Sequence, residues 1–103
     1  MILSKSEARN TKSEIMSKPK FDLEERTYTF AKKVRDFVAE LPKHTANFED
    51  IKQLVRSSGS VGANYIEANE ALSKRDFLHR IKISRKESKE TIHWLKLVDV
   101  GDD

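Results

Sequence analysis

Small residues near the middle of the chain constrain its fold most strongly. Residues 57–63 read Ser-Ser-Gly-Ser-Val-Gly-Ala within an otherwise helical pattern, and each glycine costs a helix about 1 kcal/mol relative to alanine. Either the helix breaks at residues 57–62 or close packing compensates, and we expect close packing. The next helix carries Ser84, Ser88 and Thr91 on its inner face, and small residues opposite small residues allow two helix backbones to approach closely.

Apolar residues recur at three- and four-residue spacing in three stretches, which predicts an all-α helical bundle. Helix one is expected from about Leu23 to Leu41, because Pro42 ends the pattern. Its apolar face consists of Thr27, Phe30, Ala31, Val34, Phe37, Val38 and Leu41.

Helix two is expected to begin at Asn47, a residue type favoured at the N-cap, with Glu49 and Asp50 in the first turn. It should continue to about Leu72. Its inner face consists of Ile51, Leu54, Val55, Ser58, Val61, Gly62, Tyr65, Asn69 and Leu72.

Helix three is expected to start at the cap residue Ser73, with Asp76 three residues later in the manner of a capping box. Its core face consists of Phe77, Ile81, Ser84, Ser88, Thr91, Leu95 and Val98.

Composition limits the classes of protein that fit. The chain has 103 residues, which suits one small domain, and 36% of them are charged against 37% hydrophobic, which leaves a modest core. No cysteine is present, so disulfides, thiolate zinc sites and thiol nucleophiles are excluded. The apolar runs are too short to span a bilayer. We expect a cytoplasmic protein without a membrane partner.

Positive charge is concentrated in helix three. The whole chain carries +3, whereas residues 73–98 carry eight Lys or Arg against three acidic residues, a local +5. Seven of the basic residues fall within a sector of about 120° on a helical wheel. This basic stripe consists of Lys74, Arg75, Lys82, Arg85, Lys86, Lys89 and Lys96. Its functional interpretation is phosphate contact with RNA or DNA, and the alternative is a solvated helix face.

A third sector of helix three carries Ile83, Trp94 and Leu97. Outward apolar patches usually mark contacts between molecules, so we predict that these residues form a homo-oligomer interface. The alternative is burial against another part of the same chain.

Residues 1–20 are polar, lack apolar periodicity and end at Lys18-Pro19-Lys20. We interpret them as a flexible basic extension, and residues 21–103 as the helical bundle domain. Met16 is an alternative start of translation.

Catalytic and metal-binding patterns are weak. Glu90 and His93 have the spacing of a di-iron carboxylate motif, but such a site needs a second motif and the chain has none. The serines of residues 57–60 have no histidine at a recognisable spacing, and the glycines fit no phosphate-binding loop. We therefore expect no catalytic residue, no metal site, no cofactor and no enzymatic activity.

The aromatic start of helix one and three later segments together resemble a known family. The later segments are Gln53-Leu54-Val55-Arg56-Ser57-Ser58, Ser60-Val61-Gly62-Ala63-Asn64-Tyr65-Ile66-Glu67-Ala68, and Lys86-Glu87-Ser88-Lys89-Glu90-Thr91 followed by Trp94-Leu95. In their order and spacing, residues 21–98 resemble the bacterial four helix bundle proteins encoded within intervening sequences of large-subunit ribosomal RNA genes. The same superfamily includes the accessory variability determinant of diversity-generating retroelements.

The resemblance implies an antiparallel up-down bundle that forms a barrel-like homopentamer and binds nucleic acid, RNA rather than DNA, without catalysis. The family's fourth helix is short or missing here, since the sequence after Leu97 reads Val-Asp-Val-Gly-Asp-Asp. A second hypothesis is an adaptor whose basic stripe recognises an acidic partner protein, such as a retroelement reverse transcriptase.

Overall fold

The computed structural model describes residues 4–9 and 22–102. This part of the chain contains helices and no strands, so the prediction of an all-α bundle is confirmed. Residues 5–9 form a short helix, and three long helices follow: α1 (Leu23–Ala39), α2 (Thr45–Asn69) and α3 (Lys74–Leu97). Most of the predicted extension, including Met16, lies outside the described residues.

The helices run antiparallel in chain order, with α2 in the centre. Gly62, late in α2, lies against Thr27 near the start of α1. Ser57 in α2 is hydrogen-bonded to Thr91 near the end of α3. In the described part of the chain α2 packs along both neighbours, whereas α1 and α3 do not pack along each other. The outer sides of α1 and α3 are therefore left open.

The hydrophobic core lies at one end of the bundle. It joins the end of α1, the beginning of α2 and the end of α3, because these three segments meet in an antiparallel arrangement. The buried residues of this core are Val34, Val38, Leu41, Ile51, Leu54 and Val98, with Val55, Trp94 and Leu95 packed against them. At the opposite end, large apolar side chains such as Tyr28 and Leu72 remain exposed.

Close packing, and no break, accommodates the glycines of α2, which is continuous from Thr45 to Asn69. The prediction that the glycines pack against α3 was wrong, however. A Cβ atom at Gly62 would lie 2.8 Å from Thr27 Oγ1, and one at Gly59 would lie 3.5 Å from Arg35 Nη2. The glycines thus face α1, whereas the serine and threonine hydroxyls mediate the contact between α2 and α3.

The prediction for the start of α2 was wrong. The N-cap is His44, whose side chain accepts a hydrogen bond from the Asn47 N–H, and the first turn contains no acidic residue. Asn47 lies inside the helix and is only 1% exposed. Its amide is used instead to bind the chain segment that follows α3.

Several residues assigned to inner faces are exposed. Helix α2 ends at Asn69, and the chain then turns toward Ser73, so that Asn69 and Leu72 are both in solvent. In α1, Phe30 and Phe37 are each 39% exposed. In α3 the exposed members are Phe77 and Ser88. The buried side of α3 is rotated toward Trp94, because the bulky indole packs against the core.

Candidate nucleic-acid interface

Helix α3 begins as the sequence predicts. The Ser73 side chain accepts a hydrogen bond from the Asp76 backbone N–H at 3.1 Å, which satisfies one of the free donors of the first turn. The carboxylate of Asp76 also lies at the positive end of the helix dipole. The start of the helix that carries the basic stripe is therefore well defined.

Hydroxyl groups fix the rotation of α3 against α2. Ser84 Oγ donates to the Val61 carbonyl oxygen at 2.8 Å, and the hydroxyls of Thr91 and Ser57 are hydrogen-bonded at 3.0 Å. Thr91 and Ser57 are almost completely buried. Buried hydroxyls without partners are costly, so this seam favours one rotation of the helix.

The acidic side chains in the middle of α3 point toward α2. Arg56 of α2 donates to Glu87 at 3.2 Å and approaches Glu90 to 3.9 Å. On the same side of α3, Arg80 donates to the Asn64 side chain at 3.4 Å. Glu87 is thus paired across the helix interface, away from the basic stripe, and Glu90, at the edge of the stripe, is turned toward Arg56.

All seven residues of the basic stripe are exposed, along the full length of α3. Within the described residues, none of them forms an ion pair. The stripe is therefore a row of solvated cations without acidic partners among residues 4–9 and 22–102. Such a row of positive charges attracts polyanions, and the binding free energy is most favourable for ligands that carry many phosphates.

The three residues predicted to form an interface lie in different environments. Leu97 is 51% exposed, whereas Ile83 and Trp94 are half-buried. Trp94 packs against the core, and its ring meets His93 edge-to-face at 4.8 Å between centroids. Of the three, only Leu97 is largely available to a second molecule, and the oligomeric role of this sector stays a prediction.

The spaced pair Glu90 and His93 is not part of a larger cluster of metal-ligand residues. Glu90 faces Arg56, and His93 contacts Trp94. Among the described residues, no group of three or more His, Asp or Glu side chains is arranged to hold a metal ion. None of the described helices is long and apolar enough to cross a membrane.

Comparison with protein families identifies the group. Residues 20–100 match the family described as 23S rRNA-intervening sequence protein. The chain belongs to this family. The matched region includes all three long helices and the whole basic stripe. No match was found among curated proteins or among solved structures.

This family member also has an apolar row on α1 that the sequence patterns did not single out as a surface. Leu23, Phe30 and Phe37 are seven residues apart, and their side chains are each between 38% and 39% exposed. Residues seven apart lie on one line along a helix. The seven-residue spacing of these residues is the sequence signal that could have indicated a surface row. Phe30 and Phe37 were predicted to lie on the inner face instead, because large apolar residues are typical of a core.

A groove of about 900 Å³ separates parts of α1 and α2. Gly59, Gly62 and Ala63 contribute small residues to it, and Tyr28 and Ile66 contribute apolar ones. Acidic residues from the start of α1 line it together with Lys32 and Arg35. The groove is therefore mixed in charge, unlike the basic stripe, and it lies on the α1 side of α2.

Proposed function

We propose that this member of the family is a non-enzymatic homo-oligomer that binds nucleic acid, RNA rather than DNA, through the basic stripe. One observation carries the proposal: seven exposed cations follow α3, while Glu87 is paired with Arg56 on the other side and Glu90, beside the stripe, lies 3.9 Å from the same guanidinium. Release of counterions from phosphates by such a row supplies binding energy that depends little on base sequence. The description of the family refers to 23S rRNA, which makes RNA the first ligand to test.

The oligomeric part of the proposal is supported by the apolar row of α1. Leu23, Phe30 and Phe37 are covered on one side by their own helix pair and are open on the other. A row at seven-residue spacing is the pattern with which one helix packs along another. A second copy of the chain would bury it, and the family resemblance makes a pentamer the expected assembly.

Salt dependence of binding tests the RNA-binding part. The affinity of a fluorescent RNA is measured by anisotropy between about 50 and 200 mM salt, for the native protein and for the variant Arg85→Glu, Lys86→Glu, Lys89→Glu. We expect steep salt dependence for the native protein and a log–log slope that is smaller by about 2 to 3 in the variant, because each lost phosphate contact lowers the slope by about 0.7 to 0.9.

A matched control reverses three exposed cations of α1, Arg26, Lys32 and Lys33, to glutamate. It changes the net charge by the same amount, but away from the stripe, so the slope should stay close to that of the native protein. Equal losses in the two variants would mean that net charge decides binding and not the stripe. Undetectable or salt-insensitive RNA binding would reject the proposal.

A second candidate function is an adaptor for an acidic partner protein, such as a reverse transcriptase. The observation in its favour is that Leu78 and Ile92 are 45% and 53% exposed on the same side of α3 as the basic residues. Apolar residues among charges are typical of protein interfaces. The double change Leu78→Ser, Ile92→Ser should weaken capture of an acidic protein and leave the affinity for RNA within about twofold, since phosphates gain little from apolar contact.

A further inference from the structure

We infer that the basic stripe fits the phosphate backbones of a double-stranded nucleic acid and not those of a single strand. The inference rests on the proposed function and concerns the form of the ligand. It follows from how the cations are distributed along α3 and from the lack of Phe, Tyr and Trp side chains within the sector of the stripe.

The stripe is divided into three groups along the helix. Lys74 and Arg75 form the first group, Lys96 the last, and the middle group consists of Lys82, Arg85, Lys86 and Lys89. With a rise of 1.5 Å per residue, the centres of neighbouring groups are about 16 Å apart and the whole stripe is about 33 Å long. Because α3 is continuous from Lys74 to Leu97, the separations between the backbone positions of the three groups are fixed.

A duplex presents phosphates at comparable separations. In B-form DNA, each of the two backbones crosses a line parallel to the duplex axis once per turn of about 34 to 36 Å. The crossings alternate between the two backbones, so successive crossings are on average about 17 Å apart. The two grooves differ in width, about 12 Å and about 6 Å in B-form DNA. The middle group extends over about 10 Å of the helix, so its long side chains can reach a backbone that lies off the midpoint.

Single-strand binding needs a feature that the stripe lacks. Proteins that bind single strands combine positive charge with aromatic side chains on which bases stack. No Phe, Tyr or Trp lies within the sector of the stripe: Trp94 packs against the core, and the exposed Phe77 lies on another side of α3. Phosphates are therefore the groups that the stripe can recognise, and a duplex offers them in a fixed arrangement.

The test compares three labelled ligands of one sequence at the same salt concentration: a single-stranded RNA, the corresponding RNA duplex and a DNA duplex, each long enough for about two helical turns. We expect the native protein to bind the duplexes at least about tenfold more tightly than the single strand. In the variant Lys74→Gln, Arg75→Gln, Lys96→Gln, which lacks the two outer groups, duplex affinity should fall more than single-strand affinity. The control Arg26→Gln, Lys32→Gln, Lys33→Gln should preserve the preference.

The outcomes separate this inference from the proposed function. Equal or tighter binding of the single strand, with losses in the stripe variant for every ligand, would overturn the duplex inference and leave nucleic-acid binding intact. No binding of any ligand would overturn both. Similar affinity for the RNA and DNA duplexes would support the inference, since the shared ligand chemistry is that of two phosphate backbones, and it would contradict the preference for RNA in the proposed function. Tighter binding of one of the two duplexes would also support the inference, and it would show whether the protein binds double-stranded RNA or double-stranded DNA.

Discussion

A single buried amide, that of Asn47, holds the end of α3 against the start of α2. Its Nδ2 donates to the carbonyl oxygens of Pro42 at 2.7 Å and Asp99 at 3.0 Å, and its Oδ1 accepts from the Asp99 N–H at 2.7 Å. The three bonds satisfy backbone groups that α-helical hydrogen bonding does not reach. Asn47 therefore links two chain segments that are 52 positions apart in the sequence.

Replacing Asn47 with alanine should lower the free energy of unfolding by about 1 to 3 kcal/mol, because buried backbone groups then lose their partners. Urea denaturation followed by circular dichroism measures the change. The same substitution at the exposed Asn69 should stay within about 0.5 kcal/mol of the native protein. Equal effects at the two positions would show that the amide of Asn47 contributes no more than a surface residue.

Asp99 makes this connection sensitive to acid. The N–H of Gly101 donates to Asp99 Oδ1 at 2.9 Å, and His44 Nε2 lies 3.0 Å from Oδ2. The hydrogen bond from Gly101 contributes most, and that with His44 adds to it. Together they hold the pKa of Asp99 below its ordinary value of 3.8. A carboxyl group whose pKa is lowered in the folded state stabilises the fold above its unfolded pKa, and the contribution is lost as the pH falls through the folded pKa.

The native protein should accordingly be more stable than Asp99→Asn near neutral pH, and the difference should shrink as the pH is lowered below about 4. Urea midpoints of the two proteins, measured from about pH 7 to about pH 3, check this expectation. A difference that is constant over the whole range would mean that ionisation of Asp99 does not contribute.

These residue-scale features mark what local sequence patterns can and cannot predict. The cap at Ser73 was predicted correctly because cap and partner are three residues apart. Asn47 was assigned to the cap of α2 because its chemistry suits that role. Its actual partner, Asp99, follows another helix, and only the tertiary structure brings the two together.

At the scale of helices, the contact between α1 and α2 differs in its chemistry from the contact between α2 and α3. The α1–α2 contact relies on the lack of a side chain at Gly62, whereas the α2–α3 contact relies on the hydroxyls of Ser57, Ser84 and Thr91. The sequence predicted close packing because two glycines in a helix need compensation. It could not assign the partner, since both neighbouring helices carry small or polar residues in the relevant turns.

Alanine at the two glycines should have opposite effects. Gly62→Ala places a Cβ atom 2.8 Å from Thr27 Oγ1 and 3.2 Å from Thr27 Cβ, so we expect lower stability despite the higher helix propensity of alanine. Gly59→Ala meets only the flexible end of Arg35 at 3.5 Å and should raise the free energy of unfolding by up to about 1 kcal/mol. Thermal denaturation of both variants shows whether each substitution raises or lowers stability. Stabilisation by both substitutions would refute the close contact with Thr27.

At the scale of the whole molecule, the core is concentrated at one end, and the rest of the three-helix arrangement exposes apolar side chains. The prediction of a helical bundle was correct because long periodic segments determine helix number. The faces were less predictable: Phe30 and Phe37 have the character of core residues but lie on the open side of α1. That distinction depends on which helices are neighbours, and in the described residues α1 has only α2 beside it.

Oligomer formation should therefore depend on the apolar row of α1. We expect the native protein to elute as a complex of several chains in size-exclusion chromatography with light scattering, and Phe30→Glu to lower the molar mass, because a buried charge destabilises the interface. The control is Phe48→Glu, since Phe48 is 52% exposed on α2 outside this row. An unchanged mass for Phe30→Glu, or a monomeric native protein, would contradict the proposed interface.

The most direct test of the central claim is a map of lysine protection upon nucleic-acid binding. Lysines are acetylated briefly in the free protein and in its complex with an RNA duplex, and the modification at each site is quantified by mass spectrometry. Our account predicts protection of Lys74, Lys82, Lys86, Lys89 and Lys96, while Lys32, Lys33 and Lys52 react equally in both states. Protection of the α1 and α2 lysines with the α3 lysines unchanged would show that nucleic acid binds a different surface.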